Sequence, residues 1–267
     1  MTENSPFLDV EVNEGVALLR MNRPATRNAI SDDDAIDEIV GALASFGSRS
    51  DVRAVVLTGV GSAFSSGGNL TTLQHFSSTG APVLRDRYRE GIQRIPLAFE
   101  RLEVPAIAAV NGPAVGAGCD LACMCDIRIA SEKASFAESF IQLGIVPGDG
   151  GAWFLPRAVG LQRACEMAFT GDAIDAQKAL RWGLVTDVVA HDALLPAAMD
   201  MAHRIARHSA PALRMTKRLI RESNLARLDT VLEMSAAFQA IAHQTPEHKA
   251  ALDAMVQRIA ARKKGAD

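Results

Sequence analysis

Asp120 stands in the run PAVGAGCDLACMCDIRIA (residues 113–130), directly after two glycines that flank an alanine and inside an otherwise apolar stretch. A buried carboxylate is costly unless it is paired, hydrogen-bonded or chemically employed. Two glycine-bearing loops, GSAFSSGGNL (61–70) and NGPAVGAGCDL (111–121), each follow an apolar run. Glycine lets a backbone approach a ligand without side-chain obstruction. The second loop also opens a helix, where unpaired amides and the macrodipole favour negative charge. Two such amides converging on one point would form an oxyanion hole; the alternative is a pair of tight turns. Asp120 lies three residues after Ala117, about one helical turn along on the same face. A carboxylate there could take a proton α to a carbonyl held by the amide; the alternative is a buried helix acid satisfied by neighbouring N–H groups. Neither loop matches GxxxxGK[ST] or GxGxxG, so nucleotide phosphate binding is not indicated.

The elements that must position these loops follow from periodicity. FLDVEV and GVALLRMN read as a β-hairpin around Asn13-Glu14-Gly15. Ser31 before Asp32, Asp33 and Asp34 predicts a helix start, with helix to about Ser48. VRAVVLTG and PAIAAVNG read as buried strands, each leading into one of the glycine loops, with helix over much of 84–102 between them and a helix from about Ala117. DIRIAS and ASFAES read as further strands, followed by helices near 151–159, 161–169 and 173–182. Strand and helix alternating in this way produce a parallel α/β sheet with functional loops at strand ends. From about His191 long amphipathic helices rich in Ala, Leu, Met, Arg and Lys reach the end of the chain, with Pro246 suited to the first turn of the last. The expected organisation is an α/β core over residues 1–195 and a helical region over 196–267.

Composition limits the function classes. The 267 residues carry a net charge of −3, which lacks the basic footprint of a nucleic-acid binder. The longest uncharged run, Val104 to Cys119, contains Pro, Asn and Gly and is too short to span a bilayer comfortably. MTENSPFLDVEV lacks the basic and apolar regions of a signal peptide, so a cytoplasmic location is expected. Cysteines 119, 123, 125 and 165 fit buried free thiols better than a disulfide framework or a zinc site. No metal is expected, and the histidines show no ligand spacing.

The loops resemble those of the enoyl-CoA hydratase/isomerase (crotonase) superfamily over nearly the whole chain. MNRPATRNAIS resembles its early CoA-contacting segment and AFSSGGNL its first oxyanion loop. PAIAAVNGPAVGAGCDLACMCDIRIAS resembles the second loop and its helix, FAESFIQLGIVPGDGGAWFLPRAVG the segment that completes the site, and TPEHKAALDAM the C-terminal motif. The resemblance implies a crotonase fold, a repeated ββα spiral core with a helical C-terminal region. It also implies a CoA-thioester enzyme of fatty acid metabolism working through an oxyanion-stabilised enolate. Coenzyme A would arrive as part of the substrate, with no other cofactor, and the assembly would be a homotrimer or hexamer. The oxyanion amides fall on Gly68 and Ala117. Arg27, Asn28 and Ala29 fall on the CoA path, Ser66, Gly67, Asn69 and Leu70 on the first loop, and Lys217 and Lys249 become candidate phosphate contacts.

The sequence departs from the hydratases of that family at two glutamate positions. The first falls on Asp120 and the second on Phe140, which does no acid–base chemistry. Phe140 resembles members acting on ring-bearing CoA thioesters, notably 1,2-epoxyphenylacetyl-CoA isomerases, which carry an aspartate in the later GIVP loop. Here that position is Gly148, and the aspartate follows as Asp149. The flanking glycines are expected to let the loop present Asp149. Glu138 is a further candidate if it shares a strand face with Phe136 and Phe140; otherwise it is an exposed strand-end acid. Proton-transfer isomerisation by Asp120 and Asp149 is therefore expected over hydration. A non-catalytic acyl-CoA-binding protein and a hydrolase or dehalogenase using Asp149 as nucleophile are the competing readings.

Overall fold

The computed structural model describes residues 6–76 and 78–264; the outermost residues of both expected regions lie outside these. Strands β1 (Leu8–Asn13) and β2 (Val16–Met21) form the expected hairpin, with Asn13 opposite Val16. Glu14 and Gly15 between them both have positive φ, 49° and 84°, as a two-residue hairpin turn matched to strand twist requires. From β2 the sheet continues in parallel through β3 (Ala54–Gly59), β4 (Ala106–Val110), β6 (Ile127–Ser131) and β9 (Asp187–Val189). A second sheet holds β5 (Ala114–Val115), β7 (Ser135–Ala137) and β8 (Ile174–Asp175). Ser65 bridges to Ala114 in parallel, so the first glycine loop also joins this second sheet. The chain thus passes repeatedly from first sheet to second sheet to helix, the ββα spiral that the resemblance implies.

Alternation of side chains across a strand divides the core in two. Val55, Leu57, Ala106, Ala108 and Val110 face one cluster, with α1 (Asp33–Ser48), α4 (Arg94–Arg101) and α5 (Ala117–Met124) contributing to it. Ala54, Val56, Ile107 and Ala109 face the other, closed by α9 (Leu194–Ala206) through Leu194, Ala198, Ala202 and Ala206. That four-residue spacing is one stripe of a helix laid on a sheet. The stripe makes α9 part of the first compact unit, which ends at Ala206 rather than near residue 195. The second unit, Arg207–Asp267, contains α10 (Ala210–Glu222), α11 (Leu228–His243) and α12 (Pro246–Lys264), packed in sequence.

Local expectations shift in three places. The helix expected over 84–102 is broken at Gly91 into α3 (Ala81–Glu90) and α4, preceded by α2 (Leu70–Phe76). The strand expected over ASFAES stops at Ala137 and passes into a 3-10 turn over Ser139–Leu143, which removes Phe140 from strand geometry. Helix α1 begins one residue after Asp32. After β7 come α6 (Gly151–Val159), α7 (Leu161–Thr170) and α8 (Ala176–Trp182). Cys119, Cys123 and Cys125 are buried and form no disulfide; Cys165, also expected to be buried, is half-buried. Among the described residues no group of three His, Cys, Asp or Glu could hold a metal ion, and no helix is long and apolar enough to cross a membrane.

Candidate active site

The loop after β3 is held by polar side chains below it. Asn28 Nδ2 reaches the carbonyls of Val60, Ala63 and Phe64 at 3.1, 3.0 and 3.2 Å, while its Oδ1 accepts from Arg23 N–H. Asn111 Nδ2 donates to Gly61 and Ala63. Ser65 Oγ donates to Asn28 O at 2.7 Å and accepts from Gly67 N–H. Ser66 N–H donates to Arg27 O, and Asn69 N–H to Ser31 Oγ at 2.8 Å. Ser31, expected to cap α1, therefore fixes this loop instead. Among the described residues the Gly68 N–H between these occupied donors has no acceptor.

The second loop presents the matching group. Val115 N–H donates to Ser65 O and Gly116 N–H to Ala137 O. Ala117, the first residue of α5, has no intrahelical acceptor for its N–H. Gly67, at φ 77°, packs against this turn so closely that a Cβ would stand 2.4 Å from Val115 O and 2.9 Å from Ala117 N. Gly68 and Ala117 both line a cavity of about 590 Å³. Two residues with amides unpartnered among the described residues, one of them at a helix start, thus line one space.

Three carboxyls meet behind and beside that space. Asp120 is fully buried in the first turn of α5, Glu138 is 1% exposed and Asp149 4%. No N–H or O–H among the described residues reaches either oxygen of Asp120 or Glu138, or Oδ1 of Asp149. The Asp120 carboxyl lies within hydrogen-bonding reach of both others. Three carboxylates only accept, so a link exists only when a proton sits between them. Burial, then the charges of Glu138 and Asp149, pushes Asp120 well above the ordinary carboxylate range. Burial also raises Glu138 and Asp149, against the opposing effect of a hydrogen bond from Asp120. The shared proton accordingly belongs on Asp120, which donates to a neighbour.

Glycines allow this approach. A Cβ at Gly151 would stand 2.3 Å from Asp120 Oδ1, and one at Gly148 would stand 2.9 Å from Tyr88 Cε1. The ring of Tyr88 occupies the space a side chain at 148 would need, so the acid of this loop projects from 149. Gln93 Nε2 secures the turn by donating to Gly148 O at 2.7 Å.

Asp149, Arg27, Ala29, Ser66, Gly68, Asn69, Leu70, Ala117 and Phe140 are thereby brought to one cavity. Asn28 and Gly67 do not reach its wall; Asn28 organises the loop from beneath, and Gly67 provides the close contact. Asp120 is one carboxyl back from the cavity. Glu138 is neither an exposed strand-end acid nor a wall residue, because the chain turns at 138 and directs it to Asp120. Lys217 and Lys249 lie in the second unit, on α10 and α12, the first buried and the second exposed. Sequence reasoning missed the apolar wall from α2 to α4, including Leu73, Phe76, Tyr88 and Ile92. Nothing in their spacing distinguishes them from ordinary helix-face residues.

The enoyl-CoA hydratase/isomerase family matches residues 11–263. A crotonyl-CoA hydratase of Syntrophomonas wolfei is 34% identical over 250 residues, covering 93% of this chain and 94% of the relative. A 1,2-epoxyphenylacetyl-CoA isomerase of Escherichia coli K12 is 30% identical over 252 residues, covering 94% and 96%. The crystal structure of an enoyl-CoA hydratase/isomerase from Cupriavidus metallidurans superposes with a TM-score of 0.89 at 35% identity, covering 96% of both chains. With its ββα spiral and two-loop cavity, the chain belongs to the enoyl-CoA hydratase/isomerase family and is a crotonase-fold acyl-CoA enzyme.

Proposed function

We propose that the enzyme isomerises an enoyl- or ring-bearing acyl-CoA by proton transfer through a thioester enolate. The observation that carries this reading is a cavity where two unpartnered amides, Gly68 and Ala117, share a wall with one buried carboxyl, Asp149. The thioester oxygen would accept from both amides; one such donor is worth about 3–4 kcal/mol of transition-state stabilisation. Asp149 removes the α-proton and returns it at the new position, while protonated Asp120 steadies the Asp149 carboxylate. Glu138 competes for the Asp120 proton and so sets how basic Asp149 becomes. Phe140 supplies an apolar face where a second acid would be needed to orient a water. Arg27, Ala29, Ser66, Asn69 and Leu70 form the path for CoA. CoA enters as part of the substrate and no other cofactor belongs to this reading. The enzyme works in the cytoplasm as a trimer or hexamer.

Exchange of the α-protons of an acyl-CoA in deuterated water, followed by NMR, tests the reading directly. Enzyme-dependent exchange supports it. Binding without exchange would instead make the chain an acyl-CoA carrier, and a covalent adduct on Asp149 would make it a hydrolase or dehalogenase.

Hydration is the second reading. It is favoured by the hydratase named above at 34% identity and by the presence of more than one carboxyl in the cluster. Slow hydration of crotonyl-CoA beside rapid α-proton exchange separates isomerase from hydratase.

A further inference from the structure

We propose that Tyr88 determines specificity at this cavity: its phenol donates a hydrogen bond to an acceptor oxygen, a ketone or an ether, on the acyl group. The favoured substrate is then an oxygen-bearing acyl thioester. This rests on the enolate reading above and narrows its substrate class.

Tyr88 is the single tyrosine of the chain and lines the cavity beside Asp149. Its ring is held in place. Gly148 packs beneath it without room for a Cβ, and Phe76 lies against it at 6.0 Å between ring centres, tilted by 58°. Its carbonyl accepts from Gln93 N–H at 3.1 Å, and Gln93 in turn holds Gly148. Packing alone would be served as well by phenylalanine. The hydroxyl has no hydrogen-bond partner among the described residues. Two other polar side chains of the wall are already engaged: Ser66 Oγ donates to Thr26 O at 2.9 Å and Gln142 Nε2 to Gly171 O at 2.8 Å. Leu73, Phe76 and Ile92 offer the substrate no polar contact. Burial, and then the charge of Asp149, keeps the phenol protonated, so it acts as a donor. Asp149, as a carboxylate, can accept from a substrate hydroxyl but cannot serve a ketone or ether oxygen. An acceptor oxygen therefore separates the contribution of Tyr88 from that of Asp149.

The test uses the full-length protein and calorimetric titration with hexanoyl-CoA and analogues of equal length bearing a ketone or a chain ether at successive positions beyond the β carbon. At least one oxygen-bearing analogue should bind about threefold to tenfold more tightly than hexanoyl-CoA, the effect of one neutral hydrogen bond. That ratio should fall to about one in Tyr88→Phe and persist in Ser139→Ala, the control for a second hydroxyl of the cavity wall. Binding of the preferred analogue should also shift the near-ultraviolet tyrosine band, which has one source in this chain. A wild-type protein with no preference, a preference surviving Tyr88→Phe, or one lost in Ser139→Ala would overturn the assignment. These probes bind whether or not exchange follows. A missing preference with intact α-proton exchange refutes Tyr88 alone, and a Tyr88-dependent preference without exchange refutes the enolate reading alone.

Discussion

Asp149 and Asp120 differ in a way that substitution can separate, because only Asp149 reaches the cavity. Asp149→Asn keeps the shape and removes the base, and should slow α-proton exchange by about 10²–10⁴-fold. Asp120→Asn should slow it less, since an amide still donates to Asp149. If both substitutions leave exchange untouched, neither carboxyl is the base. Asp120 also governs stability. Its pKa is raised in the folded state, so its contribution is fully present below the ordinary carboxylate range of about 4 and is lost as pH rises through the folded value. Asp120→Asn does not titrate, so its melting temperature should gain on wild type as pH rises above about 4, with no such gain in acid. A gap independent of pH would contradict the buried-proton assignment. At Phe140, exchanging the ring for a carboxyl, as Phe140→Glu with Asp120→Glu, should raise crotonyl-CoA hydration measurably. The gain should fall short of the about 10²–10⁴-fold expected of one acid–base group, because the new carboxyl replaces an apolar face of the cavity wall. Vigorous hydration by the unaltered protein would instead show that Asp120, Glu138 and Asp149 suffice.

The two loops work only because α5 and the 61–69 segment touch. Gly67→Ala would force a side chain at φ 77° to within 2.4 Å of Val115 O. Such strain costs on the order of 1–3 kcal/mol, and the amides of Gly68 and Ala117 would no longer face one point. Exchange should fall more than acyl-CoA binding does, as a split between kcat and KM shows; equal loss of both would mean the contact is merely structural. Ala117→Pro isolates the helix amide, because proline is well tolerated at a first helical position while lacking the N–H. It should reduce the chemical step by about 10²–10³-fold, and normal turnover by a folded Ala117→Pro variant would exclude that amide.

In the second unit, α11 exposes Leu228, Leu232 and Ile241, and α12 exposes Leu252, Met255, Val256 and Ile259. Apolar residues repeating along two helices call for a covering surface. Light scattering coupled to size exclusion should therefore find self-associated protein, and Leu252→Glu with Val256→Glu should shift it towards monomer. A monomeric wild type would remove the trimer or hexamer from the proposed function.

The sequence by itself determined the architecture and the identity of the loops. The hairpin at Glu14-Gly15, the buried strands and the helix opened by Ala117 are local patterns, readable because strand alternation, turn chemistry and helix starts depend on near neighbours. Asp120 stood out as a lone acid in an apolar run, whereas Gly68, Ala117 and Asp149 took their roles from the resemblance of these loops to a known family. Tertiary structure alone decided three matters. It turned the chain at Glu138 to bring that acid against Asp120, residues joined by no spacing rule. It laid α9 on the sheet and so ended the first unit at Ala206, since an amphipathic stripe does not announce which surface it will cover. It set Tyr88 over Gly148, which is why the acid of that loop stands at 149: a steric reason that exists only once α3 and the 147–150 turn are packed together.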